Sequence, residues 1–321
     1  MTSTLPVEVQ ECFERFVTTE FTTIDERQQP ITWPVTPYYR RGGSVIEVTT
    51  GLGYPKKADD ARKNPHVALL FSDPTGSGVE AGTRVLVQGT AEVHDEDLDA
   101  NRERYFREAS EKLPATRKMH PPGFVRRGLS WYYTRIYIAV RPERVFVWPD
   151  GDPTTAPQVH DARLDEVRSG HAEEPVEPHE PPAGGTVKWD SRLEQLGTRL
   201  PTAVVSWVGP DGFPISVRLP IQRDPPSHRI RLGVEPAGLP LVEGRACLTA
   251  HAHGEDFTWQ ENFQVRGDLV RLEVGDWALV PRRLIGGFEL PRDFIGRNRV
   301  IIQGHLRFYR TARRRLRDRS G

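Results

Sequence analysis

Val48 to Phe71 reads V-T-T-G-L-G-Y-P-K-K-A-D-D-A-R-K-N-P-H-V-A-L-L-F. A β-run ends in Thr49 and Thr50 and enters a Gly/Pro loop. Lys56 and Lys57 open a short polar helix, and Asn64-Pro65 closes it before a second apolar strand. Free backbone N–H groups at a helix start favour an anion, and two adjacent lysines add charge there. Thr49 and Thr50 supply hydroxyl donors from the strand end. Pro55 fits at or just before the first turn, where its missing N–H costs little. The stretch predicts a strand–loop–helix trap for a phosphate. Gly51 and Gly53 make a short G-L-G and are turn residues, not a dinucleotide fingerprint.

A chain of 321 residues has two domains as its natural expectation. Lys+Arg and Asp+Glu both number 44, a balance that argues against wholesale nucleic-acid binding. Two cysteines, Cys12 and Cys247, are too few for a disulfide framework or a cysteine metal cage. The N-terminus lacks the basic and apolar regions of a signal peptide. No apolar run approaches the ~18 residues of a membrane span. A cytoplasmic protein without membrane contact is the expectation. Hydrolase and triphosphatase motifs (G-x-S-x-G, H-E-x-x-H, a Walker loop) are missing from the sequence.

From Asp150 to about Gly185 the composition turns to Pro, Glu and His and reads as a linker, with a short helix possible within Asp161–Val167. The expected divisions are 1–149, a linker 150–186, a second domain 187–310 and a basic tail 311–321. The first domain opens on a helical pattern, Val7–Thr18. Strand-like runs follow at Phe21–Ile24, Ile31–Tyr38, Ser44–Thr50, His66–Ser72 and Arg84–Val93, then a charged helix over Asp95–Lys112. A long β-run, Trp131–Trp148, is read as two strands bent at Arg141-Pro142, because Pro is poorly tolerated inside a sheet. Few helices among many strands predict a mainly β (α+β) fold, a barrel with helical decoration.

The second half repeats the plan. Phe21–Val35 can be laid on Val204–Leu219, pairing Pro30 with Pro214, Ile31 with Ile215 and Thr32 with Ser216. V-L-V-Q-G-T-A-E-V (Val85–Val93) resembles F-Q-V-R-G-D-L-V-R-L (Phe263–Leu272), pairing Gly89 with Gly267. The matching order of elements favours duplication over chance recurrence of hairpins.

These residues resemble the pyridoxamine 5′-phosphate oxidase-like superfamily of flavin and deazaflavin oxidoreductases. The resemblance is best over Phe21–Val93 and continues in order to Trp148. Its pattern places an R/K-K pair seven residues before N-P or D-P, here Lys57 and Asn64-Pro65, and ends a later strand in V-x-G-x-A-E, here Val87–Glu92. The resemblance implies two tandem split β-barrels with FMN in the first. It puts the flavin phosphate on Lys56 and Lys57, with Thr49 and Thr50 assisting. It puts the ring over Pro34–Tyr39, chiefly Val35, Thr36, Pro37 and Tyr38. Arg84 or Gln88 would reach the flavin from a later strand, and Trp148 would line it. Pro34 stands where a basic residue is frequent. Arg40 and Arg41 would suit the acidic tail of a deazaflavin, or would form a solvated hairpin turn.

In the second half, Pro240 and Leu241 occupy the lysine positions, so that repeat is expected to have lost its phosphate site. The expected assembly is a homodimer or an intramolecular pseudo-dimer with one cofactor site per chain. The implied activity is an oxidoreductase acting on a small molecule with FMN or a deazaflavin. A non-catalytic flavin or haem carrier, or a sensor, stays open as the alternative, and no catalytic residue is named. His251 and His253 alternate on one strand face. With Glu255 or Asp256 they suggest a metal site, but no further ligand converges, and a surface or core-edge pair is the preferred reading. The C-terminal R-F-Y-R-T-A-R-R-R-L-R could meet nucleic acid or an anionic surface. A disordered solvated tail is the preferred reading there, so no nucleic-acid partner is assigned.

Overall fold

A computed structural model describes residues 5–79, 82–113, 130–162, 187–273, 275–287 and 289–318. The first half contains α1 (Val7–Arg15), β1 (Thr19–Ile24), β2 (Pro30–Val35), β3 (Ile46–Gly51), α2 (Lys56–Lys63), β4 (His66–Phe71) and β5 (Arg84–His94). It continues with α3 (Leu98–Lys112), α4 (Ser130–Tyr133), β6 (Arg135–Trp148) and β7 (Gln158–Asp161). Helical spacing brings Val9, Cys12 and Phe13 of α1 to one buried face. Strand alternation sends Val85 and Val87 into that core, with Ile136 and Ile138 opposite. The sheet runs β2-β1-β4-β5-β6-β3, with β7 added on β6.

The second half holds β8 (Thr202–Val208), β9 (Pro214–Asp224), β10 (Arg229–Leu232), β11 (Gly244–His253), β12 (Gln260–Arg271), β13 (Trp277–Gly286) and α5 (Phe294–Asp318). Its six strands close as β10-β13-β12-β11-β8-β9. When β8 to β13 are equated with β1 to β6 in chain order, the neighbours are the same in both halves. They differ at closure: β9 pairs with β10, whereas β2 and β3 are linked only through the Tyr38–Glu47 bridge beyond β2.

Register strengthens the equation. β5 slips between Gln88 and Gly89 against Pro142 of β6, and β12 slips between Arg266 and Gly267 against Pro281 of β13. A Cβ on Gly89 would lie 2.2 Å from the Arg141 carbonyl oxygen, and one on Gly267 2.1 Å from that of Val280. Each bulge seats a proline, which has no N–H for the ladder, against a glycine that lets the backbones close. The fold is mainly β: two tandem split barrels with flanking helices, the second degenerate.

The halves meet across a ring of four buried hydroxyls. Thr22 faces Thr32 across β1–β2, and Ser206 faces Ser216 across β8–β9. Thr22 bonds Ser216 at 2.8 Å and Thr32 bonds Ser206 at 2.6 Å, while Thr22–Thr32 and Ser206–Ser216 close a four-hydroxyl ring. The two cross-barrel bonds exchange under an approximate two-fold. Leu70, Leu86, Phe146 and Trp148 of the first half join the apolar core of the second.

Several expectations are corrected. Trp131–Tyr133 lie in α4, not in a strand, and β6 is one continuous strand through Pro142 because the bulge absorbs it. The extended run after Pro30 leaves the ladder at Val35, with Tyr38 returning as a bridge. Gln158–Asp161, assigned by composition to the linker, pairs with β6. Residues 163–186, which include most of the possible helix in Asp161–Val167, lie outside the described residues. The basic C-terminus is helical to Asp318, with Ala312 buried in the first core, so the disordered-tail reading fails. Among the described residues, no helix is long and apolar enough to cross a membrane.

Candidate functional site

The quoted stretch folds as read: β3, a tight loop, α2 opening at Lys56, Asn64 closing it and β4 following. The two lysines then diverge. Lys56 Nζ donates to Asp60 Oδ1 at 2.8 Å, an i,i+4 pair, and lies 4.0 Å from Asp25. Lys57 turns the other way, its Nζ 5.6 Å from the Tyr54 ring centroid. Burial, with the charge of Arg135 second, lowers its pKa to about 8.

Arg135, the first residue of β6, is the partner cation that sequence reasoning missed. It is 6% exposed, donates to the Tyr54 hydroxyl at 3.3 Å and to the Tyr105 hydroxyl at 2.9 Å, and lies 4.2 Å and 4.4 Å from the Tyr105 and Tyr132 ring centroids. Its Nε is buried with no hydrogen-bond acceptor among the described residues. Neither Lys57 nor Arg135 has a carboxylate partner among the described residues. Burial drives the Tyr38, Tyr54 and Tyr105 phenols upward against the opposing pull of Arg135, so they remain neutral. Arg135 is buried and Lys57 half-buried; an unpaired cation is costly in such surroundings, and buried polar atoms are ordinarily satisfied. Two cations, an orphan N–H and neutral hydroxyls therefore suit a phosphate. The sequence signal was the alternation R-I-Y-I-A-V, which puts Arg135 and Tyr137 on one strand face behind an aromatic W-Y-Y.

Around this centre the neighbouring charges are satisfied. Arg104 bonds Glu47 and Glu108, its guanidinium lies 4.2 Å from the Tyr137 ring centroid, and Tyr137 donates to Glu108 at 2.8 Å. From α5, Phe308 meets Tyr54 edge-on at 5.4 Å and Arg315 pairs with Asp59 of α2.

The remaining expected residues are distributed differently. Thr50 Oγ1 donates to the Tyr54 carbonyl at 2.9 Å, bracing the loop, while Thr49 stays half-buried opposite Tyr137. Val35 packs on the first core, Thr36 is half-buried and Pro37 is buried. Tyr38 enters the Arg135 cluster and packs on Tyr137 at 6.4 Å, whereas Tyr39 turns away to Phe13. Arg41 pairs with Glu14. Arg84 and Gln88 face the second barrel instead, donating to the carbonyls of Arg218 (3.3 Å) and Pro214 (3.0 Å). Trp148 is buried in the shared core and donates to the Thr155 carbonyl. In the second half no helix forms between β10 and β11; Pro240 accepts from Trp207 Nε1 and Leu241 is buried.

His251 and His253 do share a face, their rings within 4° of parallel, but they are buried between the barrels and not at a surface. His251 Nε2 lies 2.6 Å from Glu20, which also pairs with Arg218 at 2.7 Å. Among the described residues, no group of His, Cys, Asp and Glu is arranged to hold a metal. An open cleft of about 450 Å³ on the second barrel is lined by Asp190, Arg192, Glu261, Asn262 and Glu289 among others, and by none of the expected cofactor residues.

A scan against protein-family profiles and a search among curated proteins find no match. Solved structures do. A putative pyridoxamine 5′-phosphate oxidase from Listeria innocua is 18% identical, aligned over 44% of this chain and 94% of its own, with a TM-score of 0.31. General stress protein 26 from Bacillus anthracis is 15% identical over 48% of this chain and 99% of its own, TM-score 0.31. The haem storage protein HutZ from Vibrio cholerae is 15% identical over 44% and 92%, TM-score 0.31. The assignment of tandem barrels rests on the strand order and paired bulges described above.

Proposed function

We propose that the first barrel binds a phosphorylated flavin-type coenzyme, FMN or a deazaflavin, with its phosphate between Lys57 and Arg135, and that the protein is an oxidoreductase acting on a small molecule. The observation that carries this reading is the pair of cations that, among the described residues, has no carboxylate partner, one of them keeping a buried Nε without an acceptor. Lys57 and Arg135 would hold the phosphate, the hydroxyls of Tyr54 and Tyr105 would orient it, and Tyr38 would border the adjoining group. When bound, such a coenzyme supplies the hydride or electron transfer itself. The chain's share is binding, orientation and exclusion of water.

A carrier or sensor of flavin or haem is the second reading. It is favoured by the phenols around Arg135, which burial keeps protonated, so that they offer no general base. Native mass spectrometry of the full chain with FMN, a deazaflavin and haem separates the ligands. One flavin-type molecule per chain, lost in Arg135→Gln, is expected; retention in that variant would overturn the site. Turnover of bound coenzyme with a supplied reductant and acceptor then divides enzyme from carrier.

A further inference from the structure

We propose that α5 docks this protein on the sugar–phosphate backbone of a nucleic acid through Arg310, Arg313, Arg314 and Arg317. The four stand at i, i+3, i+4 and i+7, the spacing of one helix face, and all are exposed. Among the described residues none of them has an ion-pair partner. Arg315, on the inward side, is the arginine that pairs, with Asp59. No acidic residue occurs from Phe308 to Arg317, in a chain whose charges otherwise balance at 44 and 44. Among the described residues, the stripe is therefore a local excess of positive charge without a carboxylate partner.

The geometry favours a phosphate polymer over a lipid surface. A helix that lies in a membrane needs an apolar face free to enter it. Here Phe308, Tyr309 and Ala312 are already packed against the first barrel. Among the described residues, the exposed large apolar side chains of α5 are Ile302 and Leu316, about four turns apart. The stripe runs about 10 Å along the axis, the span of roughly three successive phosphates on one strand. Guanidinium forks engage phosphate oxygens in pairs, so four arginines suit this ligand better than four point charges would. Arginine contacts to phosphate position a protein without reading bases, so recognition by this stripe is independent of sequence.

The test uses the full-length chain and fluorescence anisotropy with labelled duplex DNA and single-stranded RNA of about 20 nucleotides. Binding of either polymer at about 50 mM salt is expected, weakening about 100-fold by 200 mM if four phosphate contacts form. The quadruple variant R310Q/R313Q/R314Q/R317Q, with Arg315 kept to hold Asp59, should bind at least tenfold more weakly. The double variant R310Q/R314Q should fall between. Thermal midpoints by circular dichroism confirm that each variant is folded, and the double variant serves if the quadruple is not. Absence of binding to both polymers overturns the proposal, as does equal binding by the folded variants. Arginine-dependent binding to phosphatidylglycerol vesicles with none to either polymer also overturns it. Flavin stoichiometry by native mass spectrometry is unchanged in these variants if the coenzyme reading holds, so the two ideas fail separately.

Discussion

On α2 the charge of Lys56 is met one turn on by Asp60, whereas Lys57 turns to Tyr54 and Arg135. Adjacent residues on a helix point about 100° apart, so a basic pair in sequence need not be a basic pair in space. Lys57→Ala should weaken FMN or inorganic phosphate binding about 10- to 100-fold, the loss of one charge-assisted hydrogen bond. Lys56→Ala should leave it within about threefold; isothermal titration calorimetry reads both, and equal losses would restore the paired assignment. A pH series adds an independent check. Free Lys57 loses its proton near pH 8, and an anion favours the protonated form, so affinity should decline as pH rises through about 8 and binding there should take up protons. Lys57→Ala should flatten that decline. The sequence made Lys57 legible through its place before Asn64-Pro65. For Arg135 the alternation showed only a shared face with Tyr137; nothing in the chain's order reveals that β6 lies beside β3 and brings its first residue to the start of α2.

At the scale of elements, the repeat was readable where backbone geometry constrains residue type. Gly89 and Gly267 are fixed by a carbonyl that a Cβ would strike, and Pro142 and Pro281 sit opposite them. Gly267→Ala should therefore cost on the order of 2–3 kcal/mol of stability through backbone strain. Urea denaturation measures it, and an alanine variant as stable as the parent would show that the bulge relaxes freely. α5 escaped the sequence reading for the opposite reason. Its arginine-rich exterior dominates the composition, while its contact with the fold is made by Phe308, Ala312 and Arg315, scattered among those arginines. The second repeat was legible as degenerate from Pro240 and Leu241, and the missing helix between β10 and β11 is the structural form of that loss.

Across the whole molecule, the four-hydroxyl ring is nearly symmetric and the charges beside it are not. Glu20 and Arg218 pair at 2.7 Å in full burial, with Ser72 and His251 bonded to them and Asp73 near both histidines. In the equated registers, Val204 answers Glu20 and Pro34 answers Arg218, so the polar network exists on one side of the approximate two-fold. The ion pair spans β1 and β9 and so ties the stability of one barrel to the other. Burial alone would raise the Glu20 carboxyl, but Arg218, then His251 and Ser72, hold it below the usual carboxylate range. A lowered carboxyl contributes stability above its unfolded value, roughly pH 4.3, and that contribution is lost as pH falls through the folded value. Glu20→Ala removes the contribution and leaves Arg218 buried without its anion, a change of on the order of 3–5 kcal/mol at neutral pH. Denaturant unfolding at pH 7, followed by the tryptophans of both halves, should show one shared transition moved to lower denaturant. Repeated toward pH 3, the variant should lose less further stability than the parent. Equal stability at pH 7, or separate transitions for the two barrels in the parent, would show that the network does not join them.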